Sequence, residues 1–194
     1  IDTAEITMIG RELLNLVGCN IQWVIEPAAT CNRVGNHLGV QPHGFRDSLE
    51  FAAGEIEELT GIRIDIPIDR KGADVLLVVP SADYFGTPHC YTLLGYLMVL
   101  HEAGVDYTFS AFASEGGNFG LFASHELMKR LNAKIYAEAR RLGVKWILGG
   151  ECGHMWRVVH QYMGTMNAPA DFLEVPVSPV TGTRFDHASS TKMV

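Results

Sequence analysis

The sequence predicts an α/β fold: a doubly wound parallel sheet preceded by a helical lead-in. Val75-Leu76-Leu77-Val78-Val79 is an unbroken apolar run rich in β-branched residues, the pattern of a strand buried on both faces of a parallel sheet. From Asp74 onward, strand-like and helix-like segments alternate with short links, as right-handed crossovers require. Gly104 and Gly143 each close a helical segment just before the next strand.

The elements follow in order. Ile6, Ile9, Leu13, Leu14 and Val17 recur at helical spacing and predict a helix over 3–17. Asp2 can cap it, with Glu5 three residues on, and Gly18 ends it. Residues 19–45, punctuated by Pro27, Gly35, Gly39, Pro42 and Gly44, are expected to be irregular. Asp47 to Leu59 reads as an amphipathic helix stopped at Gly61. The first strand, 75–79, ends at Pro80. A helix over 88–103 leads to a second strand over 105–111. Ser124 caps a helix over 125–142, and a third strand covers 144–148. A short helix is expected over 155–163 and a further strand over 172–177. The chain thus divides into a helical lead-in (1–73), an α/β unit (74–165) and a C-terminal extension (166–194). Residue 1 is not Met, and a helix cap at Ser189-Ser190 is followed only by Thr191-Lys192-Met193-Val194. The expectation is therefore an internal fragment of a longer protein.

Composition excludes several classes. Of 194 residues, 47% are hydrophobic and 19% charged, too apolar for a disordered chain. No apolar run approaches the ~20 residues a bilayer span needs. A net charge of −7 repels phosphate and argues against a nucleic-acid partner. Four cysteines, Cys19, Cys31, Cys90 and Cys152, lie far apart without a CxxC pair, and no export signal opens the sequence. A reducing, cytoplasmic setting is expected.

Ligands of open α/β sheets gather at the carboxyl ends of the strands. Three loops leave those ends here: Pro80 to Tyr84, Phe112 to Gly117, and Gly149 to His154. The last, Gly-Gly-Glu-Cys-Gly-His, puts Glu151, Cys152 and His154 together, and thiolate, imidazole and carboxylate are all metal-ligand types. Cys152 and His154 are candidate metal ligands, needing others such as Ser81, Glu115 or Cys90. The alternative is a buried cysteine and a hydrogen-bonded histidine at a tight turn. The glycine-rich stretch Gly116 to Gly120 lacks the G-x-G-x-x-G pattern and a following lysine, which disfavours a nucleotide site. No nucleophile elbow is present, which disfavours a hydrolase. His37, His43 and Arg46 cluster in the irregular segment, where the histidines read as exposed and idle, and His160 reads as a packing residue.

Beyond single motifs, Val75 to Arg157 resembles one half of a CCG domain of heterodisulfide-reductase-like (HdrD) subunits. The blocks Thr30-Cys31-Asn32-Arg33-Val34-Gly35 and Gly149 to Arg157 resemble the DsrK-like iron–sulfur subunits of that family. The family pattern is a strand ending in Cys, a later Cys-Cys-Gly and a final Cys-x-x-Cys. This chain has Ser81 at the first place, Ser114-Glu115-Gly116 at the second and Glu151-Cys152-Gly153-His154 at the third. The resemblance implies a degenerate half-domain that helps form a pocket for a [4Fe-4S] cluster held mainly elsewhere in the intact protein, with possibly no cofactor on this segment alone. It places Cys152, Ser81, Ser114, Glu115, Gly116 and Glu151 around the cofactor. His154 would carry protons and Arg157 would stabilise thiolate charge.

The implied activity is oxidoreductase electron transfer within a membrane-associated complex of dissimilatory sulfur (sulfite) metabolism. Its partners would be the other subunits and a small sulfur-carrier protein bearing a disulfide or trisulfide. The segment alone is expected to be inactive, cytoplasmic, and attached to the membrane only through its partners. Two rival readings are a cofactor-free docking domain and a small zinc-binding α/β domain built on Cys152 and His154.

Overall fold

The computed structural model describes residues 1–115, 117–149, 152–158 and 162. It is an α/β structure with a three-stranded parallel sheet. The helix α1, Thr3–Leu16, starts where Asp2 accepts hydrogen bonds from the backbone N–H groups of Ala4 and Glu5, at 2.9 and 3.1 Å. This satisfies donors that a helix start leaves unpaired.

A second helix, α2 (Gln22–Val34), runs through the segment expected to be irregular. Pro27 lies inside it and Ile21 offers no side-chain cap, so the local signals oppose a helix. Burial of Ala28 and Cys31 against the rest of the molecule offsets them. Its end at Gly35 takes a positive φ of 91°, which glycine adopts without a Cβ penalty. The helix α3, Pro42–Thr60, begins five residues earlier than Asp47, because Pro42 occupies its first turn, where no backbone donor is lost.

Strand β1 (Val75–Val78) is wholly buried. It pairs in parallel with β2 (Tyr107–Thr108) on one side and β3 (Trp146–Gly149) on the other, giving the order β2-β1-β3. Register sets Val75 opposite Tyr107 and Trp146. The second strand is shorter than the 105–111 span, since Phe109 bridges to Ile68 instead. Between β1 and β2 the chain forms α4 (Ser81–Phe85) and α5 (Cys90–Glu102). A short 3-10 helix, Gly117–Phe122, and α6 (His125–Leu142) link β2 to β3, and α7 (Gly153–Arg157) follows.

The alternation of side chains along β1 divides the core. Val75, Leu77 and Val79 pack with Phe45, Leu49 and Ile56 of α3 and Leu93 and Leu97 of α5. Leu76 and Val78 pack on the other face with Ile135, Ala139 and Leu142 of α6 and with Ile147. Helices therefore cover both faces, the doubly wound arrangement, and α3 from the lead-in shares one core with the sheet. The chain leaves β1 toward β2 and then returns to the far side of β1 to form β3. The switch in direction lies between β1 and β3, the place where such sheets open a crevice. The helix α7 begins two residues before the expected 155–163 span; residues 159–161 and 163 of that span, the expected strand over 172–177 and the extension 166–194 lie outside the described residues. Among the described residues no helix is long and apolar enough to cross a membrane.

Candidate functional site at the carboxyl edge of the sheet

Two loops that leave adjacent strands are joined at one carboxylate. Glu115, beyond β2, is 5% exposed, and Ser81, directly after β1, is fully buried. Ser81 donates from Oγ to Glu115 Oε2 at 2.7 Å and from its backbone N–H to Oε1 at 3.3 Å. The other donors come from a third segment. The His37 backbone N–H lies 2.7 Å from Oε2, and its ring Nδ1 lies 2.9 and 2.8 Å from the two carboxylate oxygens. A carboxylate only accepts, so the proton of this contact is on Nδ1. Buried carboxylates require such donors, because desolvation without them is costly.

The loop that carries His37 is itself fixed. Asn36, 1% exposed, accepts from Val40 N–H at 2.9 Å and donates to Val40 O at 2.8 Å. Gly35 presses on the loop after β2: a Cβ there would sit 2.3 Å from Phe112 O. Ser114, also buried, donates to Gly35 O at 3.4 Å. The sequence spacing gave no hint of this, since 78 positions separate His37 from Glu115. The nearest signal was that His37 lies two residues after the block ending at Gly35.

From His37 a row of rings runs toward α7. His37 and Phe119 have centroids 4.7 Å apart, Phe119 and Phe122 6.0 Å, and Phe122 and His154 5.6 Å. His154 is exposed and Cys152 half-buried, packed against the α6 side of the core. Arg157 is turned toward α1, its guanidinium 3.4 Å from Tyr162 Oη and 3.9 Å from Glu5. Gly116 and Glu151 lie outside the described residues. The structure thus brings Ser81, Ser114 and Glu115 together at one end of this edge, and places His154 and Arg157 on α7 with Cys152 just before its first turn.

Comparison with known proteins finds relatives of the chain. No protein-family model matches the chain, and no solved structure does. An Hdr-like menaquinol oxidoreductase iron-sulfur subunit of Archaeoglobus profundus is 49% identical over 178 residues, covering 90% of the chain and 32% of that protein. The Hdr-like menaquinol oxidoreductase iron-sulfur subunit 2 of Archaeoglobus fulgidus is 45% identical over 205 residues, covering 98% of the chain and 37% of that protein. The chain is similar to one part of such Hdr-like subunits. It spans about a third of the length of these relatives.

An iron–sulfur cluster is the cofactor these names imply, and it is normally held by about four thiolates. The described residues do not fit one. Ser81 and Glu115 are bonded to each other, and Ser114 to the backbone. Cys19 is exposed, and Cys31 is buried in α2. Burial first, and then the charge of Glu115, push the Cys31 thiol up to about 12 against the pull of Lys134. A protonated thiol is a poor metal ligand. Among the described residues no three His, Cys, Asp or Glu side chains gather where a metal could be held.

Proposed function

We propose that the chain is part of an iron–sulfur electron-transfer subunit of a DsrK-type, Hdr-like membrane complex. In this reading electrons pass between the menaquinol side of the complex and a disulfide or trisulfide on a sulfur-carrier protein. Identity of 45–49% along nearly the whole chain to Hdr-like menaquinol oxidoreductase iron-sulfur subunits carries the reading. The clusters belong to the remainder of the intact protein. This segment supplies a wall of the sulfur pocket, with Ser81, Ser114 and Glu115 at one end and Cys152, His154 and Arg157 at the other. Attachment to the membrane comes through partner subunits on the cytoplasmic side.

The test uses the intact complex. Reduction with a menaquinol analogue should bleach the visible iron–sulfur absorbance. Adding a disulfide- or trisulfide-bearing carrier should restore it, with release of thiol. Bleaching without reoxidation by either carrier would overturn the assignment of the sulfur substrate. A complex that accepts no electrons from the quinol would overturn the whole reading.

A further inference from the structure

We infer that His37 is a proton donor to a sulfur leaving group at this edge, and that Glu115 is the residue that positions it. The inference rests on the electron-transfer reading above and adds to it the source of a proton. Cleaving a disulfide with two electrons breaks the S–S bond and leaves two thiolates, each of which takes one proton to become a thiol. His154 at one end of the ring row is a candidate donor for one. His37 at the other end answers for the second.

The geometry supports this assignment in three ways. Nδ1 is committed to Glu115, which fixes the tautomer and the plane of the ring, as a carboxylate does for working histidines elsewhere. Nε2 has no hydrogen-bond partner among the described residues, and the side chain is 26% exposed, so it can reach both a ligand and solvent. The ring is held from rotating by the stack on Phe119 and by the backbone bond from its own N–H to Glu115. In the step, imidazolium Nε2–H donates its proton to the departing thiolate. The N–H bond breaks, an S–H bond forms, and the ring is left neutral with Nδ1–H still on Glu115. Solvent recharges Nε2. The charged and titratable groups around the pair include Cys31 from α2, Lys134 from α6, and Tyr84 with its neighbour Asp83 from α4. Cys31 stays a neutral thiol, burial keeps the Tyr84 hydroxyl protonated, and Lys134 is drawn to Asn32 O. Glu115 is the carboxylate that touches the ring.

The experiment uses the intact complex and a disulfide-bearing carrier, following thiol release across pH alongside bleaching by the menaquinol analogue. His37→Asn keeps a donor near the Nδ1 position but has no Nε2. It should melt with the wild type, bleach at the wild-type rate, and release thiol about a hundredfold more slowly. Release by the wild type and the variant is compared across pH, and the dependence that proton donation from His37 gives the wild type should be missing from the variant. In His37→Ala, added imidazole should restore part of the rate. Glu115→Gln should slow thiol release, and Glu115→Asp should recover part of the rate. Wild-type rate and pH profile in His37→Asn would overturn the assignment, as would a slow His37→Ala that imidazole does not rescue. If the wild type bleaches but releases no thiol at any pH, the sulfur reading has failed and takes this inference with it. That result is told apart because it appears without any substitution.

Discussion

Glu115 illustrates how one side chain replaces a covalent or metallic link between loops. Three segments distant in sequence meet on its two oxygens, and all their donors are buried or half-buried. The close approach that makes this possible depends on residues without side chains. At Gly35 a Cβ would meet Phe112 O at 2.3 Å with φ at +91°, and at Gly120 it would lie 2.1 Å from Met128 Cα. Both obstacles are backbone or the root of a buried residue, so neither moves cheaply. Gly35→Ala and Gly120→Ala should each lower stability by about 2 kcal/mol or more. Denaturant unfolding checks this, and a midpoint within error of wild type for either would refute it. Sequence reading reached Ser81, Ser114 and Glu115 through strand ends and family resemblance. It took His37 for an idle loop histidine, because a contact across 78 positions leaves no periodic or spacing signal.

Helices show where local signals suffice and where packing overrides them. Capping at Asp2 and at Ser124, whose Oγ accepts from Leu127 N–H at 3.1 Å, marked two helix starts. Glycines at Gly61 and Gly143, with φ of 73° and 69°, marked two ends. The helix α2 was hidden because Pro27 sits mid-helix and no side chain caps its start. Its stability comes from tertiary burial that no window of sequence contains. The same logic separates two kinds of glycine. Gly10, Gly54 and Gly95 lie inside helices, and a Cβ on each would meet nothing within 4 Å. Gly→Ala at each should raise stability by about 0.5–1 kcal/mol, since only the backbone freedom of the unfolded chain changes. Thermal melts of the three single variants test this, and a lowered midpoint at any of them would mean its surroundings are tighter than this structure has them.

At the level of the whole chain, the order of alternating elements and the buried run at β1 were enough to specify a doubly wound sheet, because both follow from local apolar pattern and connection length. What fastens the two helical layers at the β2 edge was beyond such reasoning, because it is an ion network. Arg46 on α3 meets Asp69 at 2.9 Å, Asp69 meets Arg141 on α6 at 2.8 Å, and Arg141 meets Glu138 at 2.7 Å. Ser110, beyond β2, donates to Glu138. The network spans the sheet from one face to the other, so its protonation state bears on the entire fold. Burial acts to raise the Glu138 pKa, but hydrogen bonds from Arg141 and Ser110 and the charge of Arg141 outweigh it and leave the carboxyl below its ordinary 4.5. A carboxylate depressed in the folded state contributes stability that is complete above the unfolded value and disappears as pH falls through the folded one. The wild type should therefore exceed Glu138→Gln in stability at pH 7, and the gap should close as pH is taken below about 4.5. Urea unfolding of both proteins at several pH values measures it. A gap that is constant from neutral to strongly acid pH would mean that Glu138 acts through its shape and hydrogen bonds rather than its charge, and the network would then not be an electrostatic fastening of the two layers.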